Sequence, residues 1–158
     1  MFHSIKTIHI VKTTFDKATR DELVKRINSI QESTPAQWGK MNAYQMVKHC
    51  RQWEELITGD LPSKRAFLGR IFGKMVLKSF LKDDSPMGRN SPTVPEVKAR
   101  ESTGDFAAEK VKWVALIEQN ANTITQNFVH PFFGKMTNEQ IGLLAYKHID
   151  HHLRQFGV

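Results

Sequence analysis

The last helical stretch of the chain puts histidine where a packed helix would ordinarily carry leucine. From Ile141 onward the apolar stripe runs Ile141, Ala145, His148, His152, Phe156, at steps of three and four that keep it on one side of a helix. A core-facing stripe with two imidazoles in it has to meet another element that answers them. His148 and His152 are one turn apart, about 40° around the helix axis, so both rings leave the same face. Such a pair can hold two corners of a divalent metal site, and the third ligand must come from elsewhere. The candidate is His49, which occupies the matching place in a second seam, Met46, His49, Trp53, Leu56.

Four long helical patterns organise the chain, giving an expectation of an all-α four-helix bundle. The first begins near Thr19, where Thr19 and Glu22 stand at capping-box spacing; Leu23, Ile27 and Ile30 give its stripe, and it ends before Pro35. The second runs from Asn42, with Gln45 three residues on, towards Gly59. The third starts around Ser102 to Asp105, carries Phe106, Trp113, Ile117, Ala121, Ile124 and Phe128, and is closed by His130-Pro131. The fourth opens at Thr137, with Gln140 completing a capping box and Met136 and Ile141 forming a staple across it.

Between the second and third patterns lies a crossover from Asp60 to Arg100. Its first part, Lys64 to Lys82, reads as an extra amphipathic helix bearing Phe67, Leu68, Ile71, Phe72, Met75 and Val76. Its second part, Asp83 to Pro95, is punctuated by Pro86, Gly88, Pro92 and Pro95 and reads as irregular loop. So long a connection lets helices two and three run in the same direction. Length and the lack of repeats fit one domain spanning residues 1–158.

Charge narrows the function classes. The formal net charge is +7, but the cations are spread along the chain, with no run of five and no interleaved aromatics. Arg70, Lys74, Lys78 and Lys82 recur at steps of four, which is expected to be a solvated face opposite a core-packing one. Nucleic acid and membrane are therefore not expected partners. A single cysteine, Cys50, leaves no intramolecular disulfide and fits a reducing cytoplasm. Neither a signal-peptide run nor a membrane-length apolar segment is expected.

The remaining polar candidates have plainer readings. Cys50 follows His49 and points about 100° away from it, so it reads as a small buried hydrophobe. Asp150 faces away from His148 and His152 and reads as a surface charge or an ion-pair partner. His151 flanks the seam beside Leu144 as a supporting or surface group. His130 reads as a turn or packing residue, and His3 and His9 as solvent-exposed. Tyr44, Gln45 and Trp53 lie near His49 in helical spacing, where pocket lining and core packing are both open.

Three segments together carry a family resemblance: Trp38-Gly39-Lys40-Met41 leading into Gln45-Met46-Val47-Lys48-His49; His130-Pro131-Phe132-Phe133-Gly134-Lys135-Met136-Thr137; and His148-Ile149-Asp150-His151-His152-Leu153-Arg154-Gln155-Phe156. The chain resembles the DinB/YfiT-like superfamily of metal-dependent bacterial proteins, and within it a branch of short uncharacterised members. That resemblance implies an up-down-down-up bundle with one metal held by three histidines, here His49, His148 and His152. It also implies thiol transfer by use of a low-molecular-weight thiol, with metal-assisted hydrolysis next, on a small-molecule substrate. Zinc or nickel ranks first as the metal, ahead of iron or manganese. No catalytic acid or base is identified, a homodimer is compatible with the bundle, and a non-enzymatic metal- or ligand-binding role is the alternative.

Overall fold

Four of the five α-helices begin where a side chain takes up the free amides of a first turn; the one opening after Ala66 has no such cap. A computed structural model describes residues 12–123 and 128–158, and its main elements are five α-helices and one short hairpin. Helix α1 (Lys17–Ser29) is capped by Asp16, whose carboxylate accepts from both the amide and the hydroxyl of Thr19. The expected Thr19–Glu22 box is therefore corrected: Thr19 lies inside the helix, and the longer-reaching Asp16 takes the cap. Helices α2 (Ala43–Thr58) and α5 (Asn138–Gln155) both open with complete capping boxes, Asn42–Gln45 and Thr137–Gln140. Between them in sequence come α3 (Phe67–Phe80) and α4 (Phe106–Asn122), the latter capped by Asp105.

The third pattern stops earlier than its apolar spacing suggests. Helix α4 ends at Asn122, and Thr123 is extended, its hydroxyl bonded back to the carbonyl of Gln119. The sequence then reads Thr123-Ile124-Thr125, a β-branched run that lowers helix propensity. Ile124 itself, like His3 and His9, falls outside the described residues. Phe128 to His130 are not helical: β1 (Val129–His130) pairs antiparallel with β2 (Gly134–Lys135). The turn is held by His130, whose Nδ1 accepts from the amides of Phe132 and Phe133, both at 3.1 Å. The chain is thus mostly helical with a very small sheet.

Two apolar clusters form the core. One joins Leu23 and Ile27 of α1, Met46, Val47 and Cys50 of α2, Trp113 and Ile117 of α4, and Ile149 and Leu153 of α5. The other joins Trp53, Leu56 and Ile57 of α2 to Leu77, Val97, Phe133, Met136, Ile141 and Leu144. Burying each of these larger side chains is worth about 1.5–3 kcal/mol, which is what holds the helices together. Along α2 the first cluster ends at Cys50 and the second begins at Trp53. Along α5 the order reverses, the second ending at Ala145 and the first beginning at Ile149. His49 and His148 fall at that handover on both helices.

Helix α3 departs from expectation in the way it packs. Its inward residues are Gly69, Gly73 and Leu77, while Phe67, Leu68, Ile71, Phe72 and Met75 are exposed. The expected core-packing face is corrected, for a steric reason. Gly69 and Gly73 lie so close to the backbone of Phe132 that a β-carbon on either would collide with the Phe132 carbonyl. No larger side chain fits there. Among the described residues, no helix is long and apolar enough to cross a membrane.

Candidate metal centre

His49 comes from the middle of α2, and His148 and His152 from successive turns of α5. Their ring centroids form a near-equilateral triangle, with 5.1 Å between His49 and His148, 4.8 Å between His49 and His152, and 4.8 Å between His148 and His152. One ring nitrogen from each lies within 4.8 Å of the other two. The three are 3, 9 and 7% exposed, so the cluster is removed from bulk water. The spacing read from the sequence thus brings together the three residues it pointed to.

The outer nitrogens fix which way the rings face. His49 Nδ1 sits 2.7 Å from the Val97 carbonyl, which can only accept, so Nδ1 carries the proton and Nε2 presents a lone pair. Gln155 donates through Nε2 to the Trp38 carbonyl at 2.8 Å, which leaves its Oε1 to accept from His152 Nδ1 at 2.9 Å. His152 Nε2 is therefore also unprotonated. His148 lies flat against Trp53, with centroids 4.9 Å apart and planes 23° apart. His148 Nε2 is 3.1 Å from His49 Nε2, and His148 Nδ1 is buried with no hydrogen-bond partner among the described residues.

Electrostatics keep the three rings neutral. Burial lowers the pKa of His49, and it pushes those of His148 and His152 well below the ordinary histidine value. The neighbouring imidazoles add to the depression, since three cations cannot share one small, poorly solvated volume. Neutral imidazole is the form that ligates a metal. A metal with Zn–N bonds of 2.0–2.1 Å spans roughly 3.4 Å between tetrahedral ligands, close to the observed 3.1 Å edge. The residues present therefore fit a divalent metal, with one ring nitrogen of each histidine within 4.8 Å of the other two.

The other candidates resolve as packing or ion pairs. Cys50 is buried in the first cluster, and its thiol pKa is raised well above the usual value by desolvation. Asp150 bridges Arg26 at 2.8 Å and Arg154 at 2.7 Å, tying α1 to α5. His151 is buried, its ring 5.0 Å from His152 and 6.0 Å from Trp38. Trp53 lines the cluster, whereas Tyr44 packs beside Gly104 and Gln45 serves as a helix cap.

Three supporting groups were not legible. Gln155 and Trp38 stand in the family-resembling segments, where their spacing assigns them no role. The Val97 carbonyl comes from a single 3-10 turn, Pro95–Val97, inside the long crossover. A backbone oxygen leaves no side-chain signal, so sequence could not have found it. Glu54 was also missed: it is wholly buried on α2, accepts from Asn120 Nδ2 at 2.7 Å, and its pKa is raised to about 7 by desolvation.

Comparison with known proteins adds one match. The profile of the family described as "Protein of unknown function (DUF1569)" matches residues 11–157, nearly the whole chain, and the chain belongs to that family. No curated protein and no solved structure matches it.

Proposed function

We propose that this member of the DUF1569 family is a cytoplasmic metalloprotein that holds one divalent ion on Nε2 of His49, His148 and His152, in a bundle of DinB-like, up-down-down-up topology. The observation that carries the reading is the 3.1 Å approach of two histidine Nε2 atoms, one of them already committed as a lone pair by its bond to Val97. Two lone pairs at that distance repel unless a proton or a cation lies between them. A proton on His148 Nε2 would serve the pair but would do nothing for His152. A metal would engage all three.

In such a site the metal would supply Lewis-acid activation of a thiol or of water towards a small electrophilic substrate. Val97 and Gln155 orient the His49 and His152 rings and hold their protons on Nδ1, as outer partners of metal-binding histidines commonly do. Trp53 fixes the third ring by stacking and excludes water from that side. The family resemblance ranks thiol transfer first, with a low-molecular-weight thiol as the co-substrate, and hydrolysis second. Zinc or nickel is the first choice of ion.

Elemental analysis of untagged protein, beside His49→Ala and His152→Ala, tests the reading. Near-equimolar metal in the wild type and its loss from both variants is the expected result. Folded protein that takes up no zinc, nickel, manganese or iron would defeat it. The deep burial of the three rings favours one second reading, a closed structural or binding site without chemistry. Cobalt-substituted protein discriminates the two. An absorption spectrum that shifts on adding a small thiol means an open coordination position, and an indifferent spectrum means a closed one.

A further inference from the structure

Helix α3 turns five of its large apolar side chains away from the molecule. Phe67, Leu68, Ile71, Phe72 and Met75 are between 45 and 74% exposed and, at 100° per residue, fall in one sector opposite the buried Gly69, Gly73 and Leu77. The outward orientation is built in. The Arg65 guanidinium donates to the carbonyls of His130, Pro131 and Phe132 at 2.8–3.1 Å and to that of Gly69 at 3.2 Å, clamping the start of α3 onto the hairpin. The glycines then seat the helix so closely on Phe132 that it cannot roll over. An exposed apolar face of this extent marks an interaction surface.

Charge identifies what the face meets. From Lys64 to Lys82 the sequence holds six cations and no carboxylate. Arg70, Lys74 and Lys78 run along one edge of the apolar sector, with Lys74 also donating to the Lys135 carbonyl. We propose that α3 is a docking element for an anionic lipid bilayer, lying in the interface plane with its phenylalanines and aliphatic side chains among the acyl chains and its cations at the headgroups. A second copy of the chain fits less well, because a two-fold contact through this face would bring like-charged edges together without acids to answer them. Nucleic acid would meet the cations and leave the apolar sector in water. A basic rim beside a phenylalanine- and leucine-bearing face is the composition of an interfacial helix. The inference is independent of the metal reading, and it reverses the expectation of a solvated basic stripe without a membrane partner.

The test is co-sedimentation of the full chain with phosphatidylcholine vesicles, with and without about one-third phosphatidylglycerol. Each cation near an anionic surface contributes about fivefold in partitioning, so at least tenfold preference for the anionic vesicles is expected at low salt, falling as salt rises. Ile71→Asp/Met75→Asp and Arg70→Glu/Lys78→Glu should each cut partitioning at least tenfold. Their helical circular dichroism should stay unchanged, because these side chains are exposed. Absence of partitioning would overturn the proposal. So would partitioning that Ile71→Asp/Met75→Asp leaves intact, which would make the attraction purely electrostatic. A dimer in equilibrium sedimentation that the same variant splits, without vesicle binding, would assign the face to a second copy instead.

Discussion

Replacing Glu54 with glutamine should remove a pH dependence that the wild-type chain carries between about pH 4.5 and 7. The carboxyl is buried on α2, accepts one hydrogen bond from Asn120 through Oε2, and leaves Oε1 without a partner among the described residues. Desolvation raises its pKa from 4.5 to about 7, against the opposing pull of the Asn120 bond. Between those values the folded chain keeps a proton that the unfolded chain has released, so folding takes up a proton and stability falls as pH rises. The contribution is complete below pH 4.5 and gone above about 7. At about 1.4 kcal/mol per pH unit, the gap amounts to about 3 kcal/mol. The buried histidines act with the opposite sign: their lowered pKa values mean that the unfolded chain binds protons first below about 6.5, and stability falls as pH drops. A single profile therefore mixes the two effects, and only the difference between variant and wild type isolates Glu54. Urea unfolding of both proteins in the same metal-free buffers should show the Glu54→Gln advantage growing by about 3 kcal/mol from about pH 4.5 to 8. A flat difference would show that Glu54 is not a protonated buried acid.

Gln155→Ala should weaken metal binding roughly 10–100-fold, measured by competition with a chromophoric chelator, because it frees His152 Nδ1 while leaving the ligand in place; unchanged affinity would remove Gln155 from the site's support. Gly73→Ala should destabilise the fold by about 1–3 kcal/mol in urea, since the collision with Phe132 outweighs the roughly 1 kcal/mol that alanine gains over glycine in a helix. A stabilised variant would mean that α3 can lift off the hairpin at little cost. Cys50, buried and with its thiol pKa pushed up, should resist a disulfide reagent at about pH 8 until the chain is unfolded; rapid native-state labelling would show that α2 opens there.

Periodicity carried most of the helical architecture because it is a side-chain property, and side chains are what a sequence spells out. The seams through Met46, His49 and Trp53, and through Ala145, His148 and His152, were readable since each position repeats a burial requirement. Periodicity failed where packing partners reversed its meaning. In α3 the apolar stripe is real but faces outward, because the decisive residues are Gly69 and Gly73, whose message is the closeness of a backbone and not an affinity for it. It failed again past Asn122, where Phe128 continued the α4 stripe in register while belonging to the approach to a hairpin set by Pro131 and Gly134. The Val97 carbonyl lay beyond reach for a third reason: a backbone acceptor becomes special only through where the crossover returns.

The three histidines interrupt what would otherwise be one continuous apolar core, and that interruption has an energetic consequence. Leucine at 49, 148 and 152 would join the two clusters and contribute about 1.5–3 kcal/mol per buried side chain. The imidazoles forgo this, are desolvated, and leave His148 Nδ1 without a partner among the described residues, a deficit of about 1–3 kcal/mol by itself. Metal-free protein should therefore tolerate His148→Leu well, whereas the wild type, at free metal concentration c, should gain RT ln(1 + c/Kd) over its own metal-free form, a gain the variant lacks. Thermal midpoints with and without chelator decide the point. If the chelator lowers the wild-type midpoint and leaves that of His148→Leu unchanged, the metal offsets the cost of a polar core. If it moves neither, the histidines answer one another through protons alone, and the three-ligand proposal falls with them.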